Sequence, residues 1–545
     1  MSLGQRLPQP AAEGMSSRYA LDSRDGEEDS VKQKELQLDE RPGRSSKASS
    51  RTELGKVDEK DQDQAEPAAN SNALPLIDLT TGVIGWESPD DPQMPFNFRA
   101  REKWTWVWLL SATTLLTPFA TSVLSPGINQ LDTEFGETNP SIGSLAVSSY
   151  IFGYIVGPPF IGPLSEIYGR KWVLTGATAF FCLWLIGCGL APNIQTLIVS
   201  RFFSGIGGVA VLSLGGSIIG DLFPPETRGR AMGFWNIGPL FGPIVGPVAG
   251  AFTTQYIGWR WDFWIVLVAT APIVVLTALF TRETGHKVLI QRKTAAFRKE
   301  LGRTDLKSCY DDTSHLTTIE ILRNGLLRPL KLIFLSPIVF FLSLYIAFLF
   351  GVNYLLYTTI PTVFEDTYGF KTGKTGLPYV ALGGGNIVAW LTFTIFSDRW
   401  VKKLKAANGG VFTPEMRLIL AIPFGFMIPI TLFWYGWSSY YKLDVLCTIF
   451  SLVPIGMGMV GLFLPLSTYL VDSYPIYAAS ATSANVIVRS LAGATLPLAG
   501  PPLYKTLGLG WGNSLLGFVS LMMIPLPLLF YKFGAKLRAA QKFKL

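Results

Sequence analysis

Cysteine and histidine are scarce in this 545-residue chain, which holds four of the first and two of the second. Cys182 and Cys188 fall inside one apolar stretch and no CxxC spacing occurs, so a disulfide framework or a cysteine-ligated metal cluster is not expected. His286 and His315 both lie in a polar stretch in mid-chain, and Gly383-Gly384-Gly385 sits in an apolar run without the Lys and Ser or Thr of a phosphate loop. Enzyme chemistry, ATP hydrolysis and a bound cofactor are therefore not expected. Charge is also sparse: 16% of residues are charged against 49% hydrophobic, and mean hydropathy is +0.32, outside the soluble globular range. The first 75 or so residues lack any apolar run and any basic-then-apolar leader, which predicts a disordered tail ending near Phe98, with insertion left to the first membrane helix.

The formal charge of +7 does not imply nucleic acid, because the basic residues lie between apolar runs instead of on one arm or face. A membrane helix needs about 20 mostly apolar residues to cross a core about 30 Å thick. Twelve such runs are present, at 106–125, 145–164, 172–191, 197–220, 231–252, 261–281, 333–360, 376–397, 418–437, 444–470, 480–503 and 511–531. The expectation is an all-α membrane protein of twelve spans embedded in lipid. The polar stretch 282–332 divides it into a six-helix half at 99–281 and another at 333–531, with tails at 1–98 and 532–545.

Lys and Arg fix the expected orientation. One set of connections holds Arg170 and Lys171, Arg228 and Arg230, eleven basic residues in 282–332, and Arg399, Lys402, Lys403, Lys405 and Arg417. The other set holds Arg260, Lys371, Lys374, Lys442 and Lys505. Both termini are thus expected on the cytosolic side, where Lys532, Lys536, Arg538, Lys542 and Lys544 close the chain. The second connection, Ser165-Glu166 then Gly169-Arg170-Lys171, has a counterpart in the other half, Ser397-Asp398-Arg399 then Lys402-Lys403, so both read as short acidic-then-basic turns.

The first of these turns resembles the signature loop of the major facilitator superfamily, matching at Gly162, Glu166, Gly169, Arg170 and Lys171 and departing at Ile167, where that pattern has arginine. A carboxylate and a guanidinium there can pair with each other and with helix ends, holding one conformation; the alternative is a solvated turn. A closer resemblance runs from about Trp104 to Arg538, to the fungal twelve-spanner drug:proton antiporters. It is carried by Pro163 to Arg170, Asp221-Leu222-Phe223-Pro224 with Arg228-Gly229, Arg282-Glu283-Thr284, Pro414 to Leu418, and Tyr477-Ala478-Ala479-Ser480 continuing to Asn485 and Arg489-Ser490.

That resemblance gives the candidate site. Arg201, near the start of the fourth span, matches an arginine linked in the superfamily to proton coupling. An isolated membrane arginine costs about 2.5–3.5 kcal/mol, so it faces a cavity or partner, or else snorkels to the interface. Since arginine stays protonated, it would act by biasing a neighbouring acid, water or substrate. Asp221 and Arg489 join it as coupling candidates, and Asp221, with Glu166 and Arg170, is also expected in a cytosolic gate. In the fifth span Gly238, Gly242, Gly246 and Gly250 share one face and, with Pro243, resemble the exporters' antiporter motif; a tight packing seam explains the same spacing. Arg489 and Asn485 share a face of the eleventh span and are expected in a central cavity, with Asn236, Asn353, Tyr357 and Asn386 as further polar points that could instead bond between helices. The resemblance implies a monomeric carrier that expels small amphipathic organic compounds in exchange for protons by alternating access, driven by a proton gradient, most simply at the plasma membrane with the vacuolar membrane as the other site. A proton-coupled uptake symporter, a polyamine carrier and a non-transporting membrane sensor are the alternatives.

Overall fold

The computed structural model describes residue 77 and residues 82–310, 318–474 and 478–540. The expected disorder of residues 1–76 lies outside the described residues, as do His315, Tyr477, the Asp398 side chain, Lys542 and Lys544. Among the described residues eleven helices are long and apolar enough to cross a membrane. The last, Ser480–Arg538, has 59 residues, more than twice what one crossing takes, and breaks at Gly508, where φ is 71° and ψ is 170°. It holds the eleventh and twelfth spans, which restores the expected two sets of six.

Caps, not apolarity, set the helix ends. The second span, Pro140–Tyr168, starts with a proline that has no N–H to leave unsatisfied, behind Asn139, whose side chain accepts from the Ser141 N–H. Ser336 caps the seventh span, Pro337–Tyr368, through the Val339 N–H, and Asn193 caps the fourth through the Thr196 N–H. Gly169, at φ 103°, and Gly369, at φ 67°, then stop the second and seventh helices. The second helix consequently outruns the apolar stretch 145–164 at both ends, while the seventh starts inside the stretch 333–360 and runs past its end.

The expected second turn is not a turn. The eighth span, Leu377–Ala407, stays helical through Ser397, Arg399, Lys402 and Lys403. The first half has a left-handed glycine at the junction, whereas the second has none until Gly409, at φ 65°. The repeat between halves shows instead in packing. Gly153 and Gly205 press the second and fourth spans together, each against the other's main chain. Gly385 and Gly456 do the same for the eighth and tenth.

The fifth span, Pro225–Ile257, lays its glycine face on the main chain of the first, Ala100–Ser122. A Cβ at Gly238 or Gly242 would come within 2.6 Å of Thr114 or Leu115 backbone atoms, and one at Gly246 within 2.5 Å of Ser122 Oγ. Pro247 has no N–H for the Pro243 carbonyl, and Ser122 Oγ donates to that carbonyl instead at 3.1 Å. The packing seam is thus present at every one of these positions.

The tail ends earlier than its composition suggests. Val83–Ile84 pair in parallel with Lys307–Ser308, Trp86 and Met94 bury against Ile290, and Lys293 bonds Asp91 at 2.9 Å and Glu87 at 2.8 Å. Residues 82–98 therefore form a packed arm on the helix His286–Leu301, which itself occupies the stretch read as loop. A few buried aromatic and charged anchors outweigh the polar average over that stretch. Burial raises the Asp91 carboxyl, but the Lys293 ammonium and the N–H groups of Gln93 and Glu87 outweigh it and hold it below its usual range.

Candidate functional site

The signature turn is built around a carboxylate that is not its own. Gly169, left-handed, separates the second span from the third, Arg170–Gly189, whose first N–H groups have no partner within the helix. Glu283 supplies one: its carboxylate accepts from the N–H of Arg170 at 2.6 Å and of Lys171 at 3.2 Å, and also from Thr284 and Gly285. A side chain at Gly169 would overlap this carboxylate. Arg170 reaches Asp221 Oδ2 at 3.4 Å and Ser165 Oγ at 2.5 Å, while Lys171 Nζ donates to the Thr281 carbonyl at 2.8 Å. His286 Nε2 contacts the Asp221 carbonyl at 3.1 Å, its ring lies between Trp86 and Phe96, and burial lowers its pKa.

Glu166, expected to form the latch with Arg170, is exposed and makes no ion pair among the described residues. Asp221 takes the Arg170 guanidinium in its place, on the fourth span, while Glu283 of the linker takes the Arg170 main-chain N–H. Gly162 has no neighbour within 4 Å of where a side chain would begin.

Arg201 meets the expectation of a partner, and not that of a cavity or of the interface. It is fully buried, and its guanidinium donates to four carbonyls: Ala120 at 2.6 Å, Thr121 at 3.0 Å, Ala146 at 3.1 Å and Val147 at 3.4 Å. Two of these lie in the last turn of the first span, where the helix dipole favours a cation. The Tyr150 and Phe263 rings cover it at 4.9 and 5.6 Å. It is neither a cavity wall nor a snorkelling side chain but a clamp joining the first, second and fourth spans.

Arg489 differs. It keeps some exposure, its guanidinium carbon sits 4.6 Å from the Phe350 ring and 5.2 Å from the Phe463 ring, and no ion pair or hydrogen bond engages it among the described residues. Asn485, one turn away, is buried with its carbonyl oxygen unpartnered, as are Asn353 and Asn386. The interhelical bonds these amides could have made through that oxygen are therefore not formed. Tyr357 is buried, its ring against Tyr354 and Tyr379, and its carbonyl accepts from Tyr379 at 2.7 Å. Asn236 is exposed and joins none of these contacts.

Two acids were not singled out from sequence. Glu283 lies in a quoted stretch, but its reach to the third span depends on a fold that periodicity does not reveal. Asp262, in the first turn of the sixth span, Arg260–Phe280, is fully buried; Thr254 Oγ1 bonds its Oδ2 at 3.2 Å, and Oδ1 has no partner among the described residues. Its signal was an acidic residue just inside an otherwise apolar run.

The bundle is similar to solved transporters. The xylose transporter XylE of E. coli aligns at a TM-score of 0.58 and 19% identity over 80% of this chain and 98% of that one. A D-xylose-proton symporter aligns at 0.59 and 17% over 81% and 100%. At such identities the likeness speaks for the fold. Sequence relatives are nearer: the MFS-type transporter penM of Penicillium rubens is 41% identical over 90% of this chain and 94% of its own length. The MFS transporter prlG of a fungal species is 44% identical over 84% and 96%, and the efflux pump radE of Floropilus chiversii is 39% identical over 85% and 86%. The Major Facilitator Superfamily profile matches residues 110–497, so this chain belongs to the major facilitator superfamily, as a membrane-embedded transporter of a small molecule.

Proposed function

We propose that this chain exports small organic compounds, of the drug, toxin or secondary-metabolite kind, in exchange for protons and by alternating access. The observation that carries the reading is where the halves are joined. Among the described residues three hydrogen bonds link them: Asn129 to Glu365 at 2.5 Å, the Gly373 N–H to Gln255 at 2.6 Å, and Ser141 to the Leu498 carbonyl at 3.3 Å. Ser141 starts the second span and the signature turn ends it, so this link lies at the end away from that turn. Gln255 closes the fifth span, which begins just beyond Asp221, so the second link lies there as well. Bonds at one end and a cation between the halves suit a carrier caught with its other end released.

The basic residues gather at the signature-turn end, which we place in the cytosol with both termini, in the plasma membrane, the chain acting as a monomer. The exporter name carried by the radE relative supports the outward direction. The half-buried Asp221 and the buried Asp262 are assigned to the proton path, with Arg201 as a fixed charge biasing it and the proton gradient as the energy source. The test uses inside-out vesicles from a fungal host, with an imposed acid-inside gradient and a panel of labelled organic compounds. Compound should accumulate only while the gradient lasts, and Asp262→Asn or Asp221→Asn should uncouple it. Accumulation in right-side-out vesicles with acid outside would make the protein an uptake symporter instead.

A further inference from the structure

We infer that Arg489 is the recognition point for an organic anion, so that the cargo carries a carboxylate or comparable acidic group on an apolar, ring-bearing body. The inference rests on the transport reading above and narrows its substrate class.

A guanidinium presents five N–H donors and is never deprotonated in a protein. Placed among spans, it demands either a counter-ion or a fixed set of acceptors. Arg201 has the acceptors. Arg489 has neither among the described residues: two phenylalanine faces hold it at 4.6 and 5.2 Å, which orients the cation without neutralising it or filling its donors.

No acid on the surrounding spans is placed to serve. Phe350 is on the seventh span and Phe463 on the tenth, while Tyr354 of the seventh and Tyr154 of the second are electrostatic neighbours. On the seventh span the acids are Glu365 and Asp366, at its far end, and Glu365 accepts from Asn129. On the tenth, Val453–Ser473, Asp472 stands at the end and pairs with Arg417 at 2.5 Å. On the second, Glu166 stands in the last turn and is exposed. The unmatched positive charge therefore belongs to something that comes and goes.

The surroundings describe that visitor. Phe350 lies tilted against Tyr354, with ring centroids 6.5 Å apart, and edge-to-face against Phe463 at 5.4 Å, giving an aromatic wall beside the charge. Asn485, on the same helix face, presents an acceptor oxygen without a donor. An anionic group on Arg489, a flat apolar body on the rings and a hydroxyl or N–H toward Asn485 would satisfy both Arg489 and Asn485. Charge-assisted bonds from a guanidinium fork favour carboxylate geometry.

The experiment compares 2-naphthoate with its neutral counterpart 2-naphthamide, binding each to the detergent-purified full chain without any gradient. Naphthoate should bind at least about tenfold tighter. Arg489→Gln should abolish that preference by weakening naphthoate far more than naphthamide, and Arg489→Lys should retain part of it. Should Arg489→Gln fail to elute as a monodisperse protein, Phe463→Leu, which keeps the charge, should weaken both probes and leave their ratio intact. Equal binding of the two probes to the unsubstituted protein, binding of neither, or a preference that survives Arg489→Gln overturns the inference. A failed pH-gradient assay alongside a retained naphthoate preference would count against proton coupling only, leaving anion recognition standing.

Discussion

Arg201 and Arg489 carry the same group into the same bilayer, one in each half, and the halves treat it in opposite ways. In the first half the guanidinium is enclosed by four carbonyls and two rings and ties three spans together. In the second it lies between two rings with its donors open. Residue type and depth are therefore poor guides to role. What decides is whether the fold consumes the group's bonding capacity.

The sharpest break of this comparison is a pair of stability measurements. Arg201→Leu strands several buried carbonyls and should cost about 3–5 kcal/mol or prevent folding, whereas Arg489→Leu should cost no more than about 1 kcal/mol. Thermal unfolding of the purified proteins in detergent reads both, and equal losses would erase the distinction. A smaller contrast lies at the signature turn. Gly169→Ala meets both a left-handed backbone and the Glu283 carboxylate and should cost about 1–3 kcal/mol, while Gly162→Ala, with open space around it, should be neutral or stabilise by up to about 1 kcal/mol. Smaller again is Asn485→Ala: its oxygen bonds nothing among the described residues, so the melting temperature should shift by less than about 1 kcal/mol equivalent while cargo uptake into inside-out vesicles changes. A role in holding helices together would reverse that order.

The smallest effect concerns the arm. With Asp91 held below 3.8, its ion pair with Lys293 contributes above the unfolded value and is lost only as pH falls through the folded one. Through this pair alone, protease resistance of residues 82–98 should be flat from about pH 8 to about pH 5 and fall in stronger acid. His286, lowered by burial, stays neutral over the same range above 6.5 and adds a weak loss below it.

The apolar runs made all twelve spans readable, because length and hydrophobicity are what a bilayer selects. Their ends were less readable: Asn139, Ser336 and Gly169 act through single hydrogen bonds or one backbone angle, which a hydropathy window averages away. The arm at 82–98 was hidden similarly, since Trp86, Met94 and the Asp91–Lys293 pair are isolated points in a polar stretch. Arg201 stood out as a charge, but its partners are main-chain carbonyls, which every residue has and no pattern marks. Glu283 as the cap of the third span depends on a contact across 113 positions of sequence. Glu166 entered the latch through the resemblance of its loop, which fixes residue types but not which carboxylate meets Arg170.

The glycine contacts between the second and fourth spans, and between the eighth and tenth, have a mechanical meaning. Where main chain meets main chain, no rotamer can flip to take up slack and no methyl group can slide. On the alternating-access reading each half would then move as a stiff plate, and cargoes of different size would be accommodated by how far the plates tilt apart, with neither plate needing to deform.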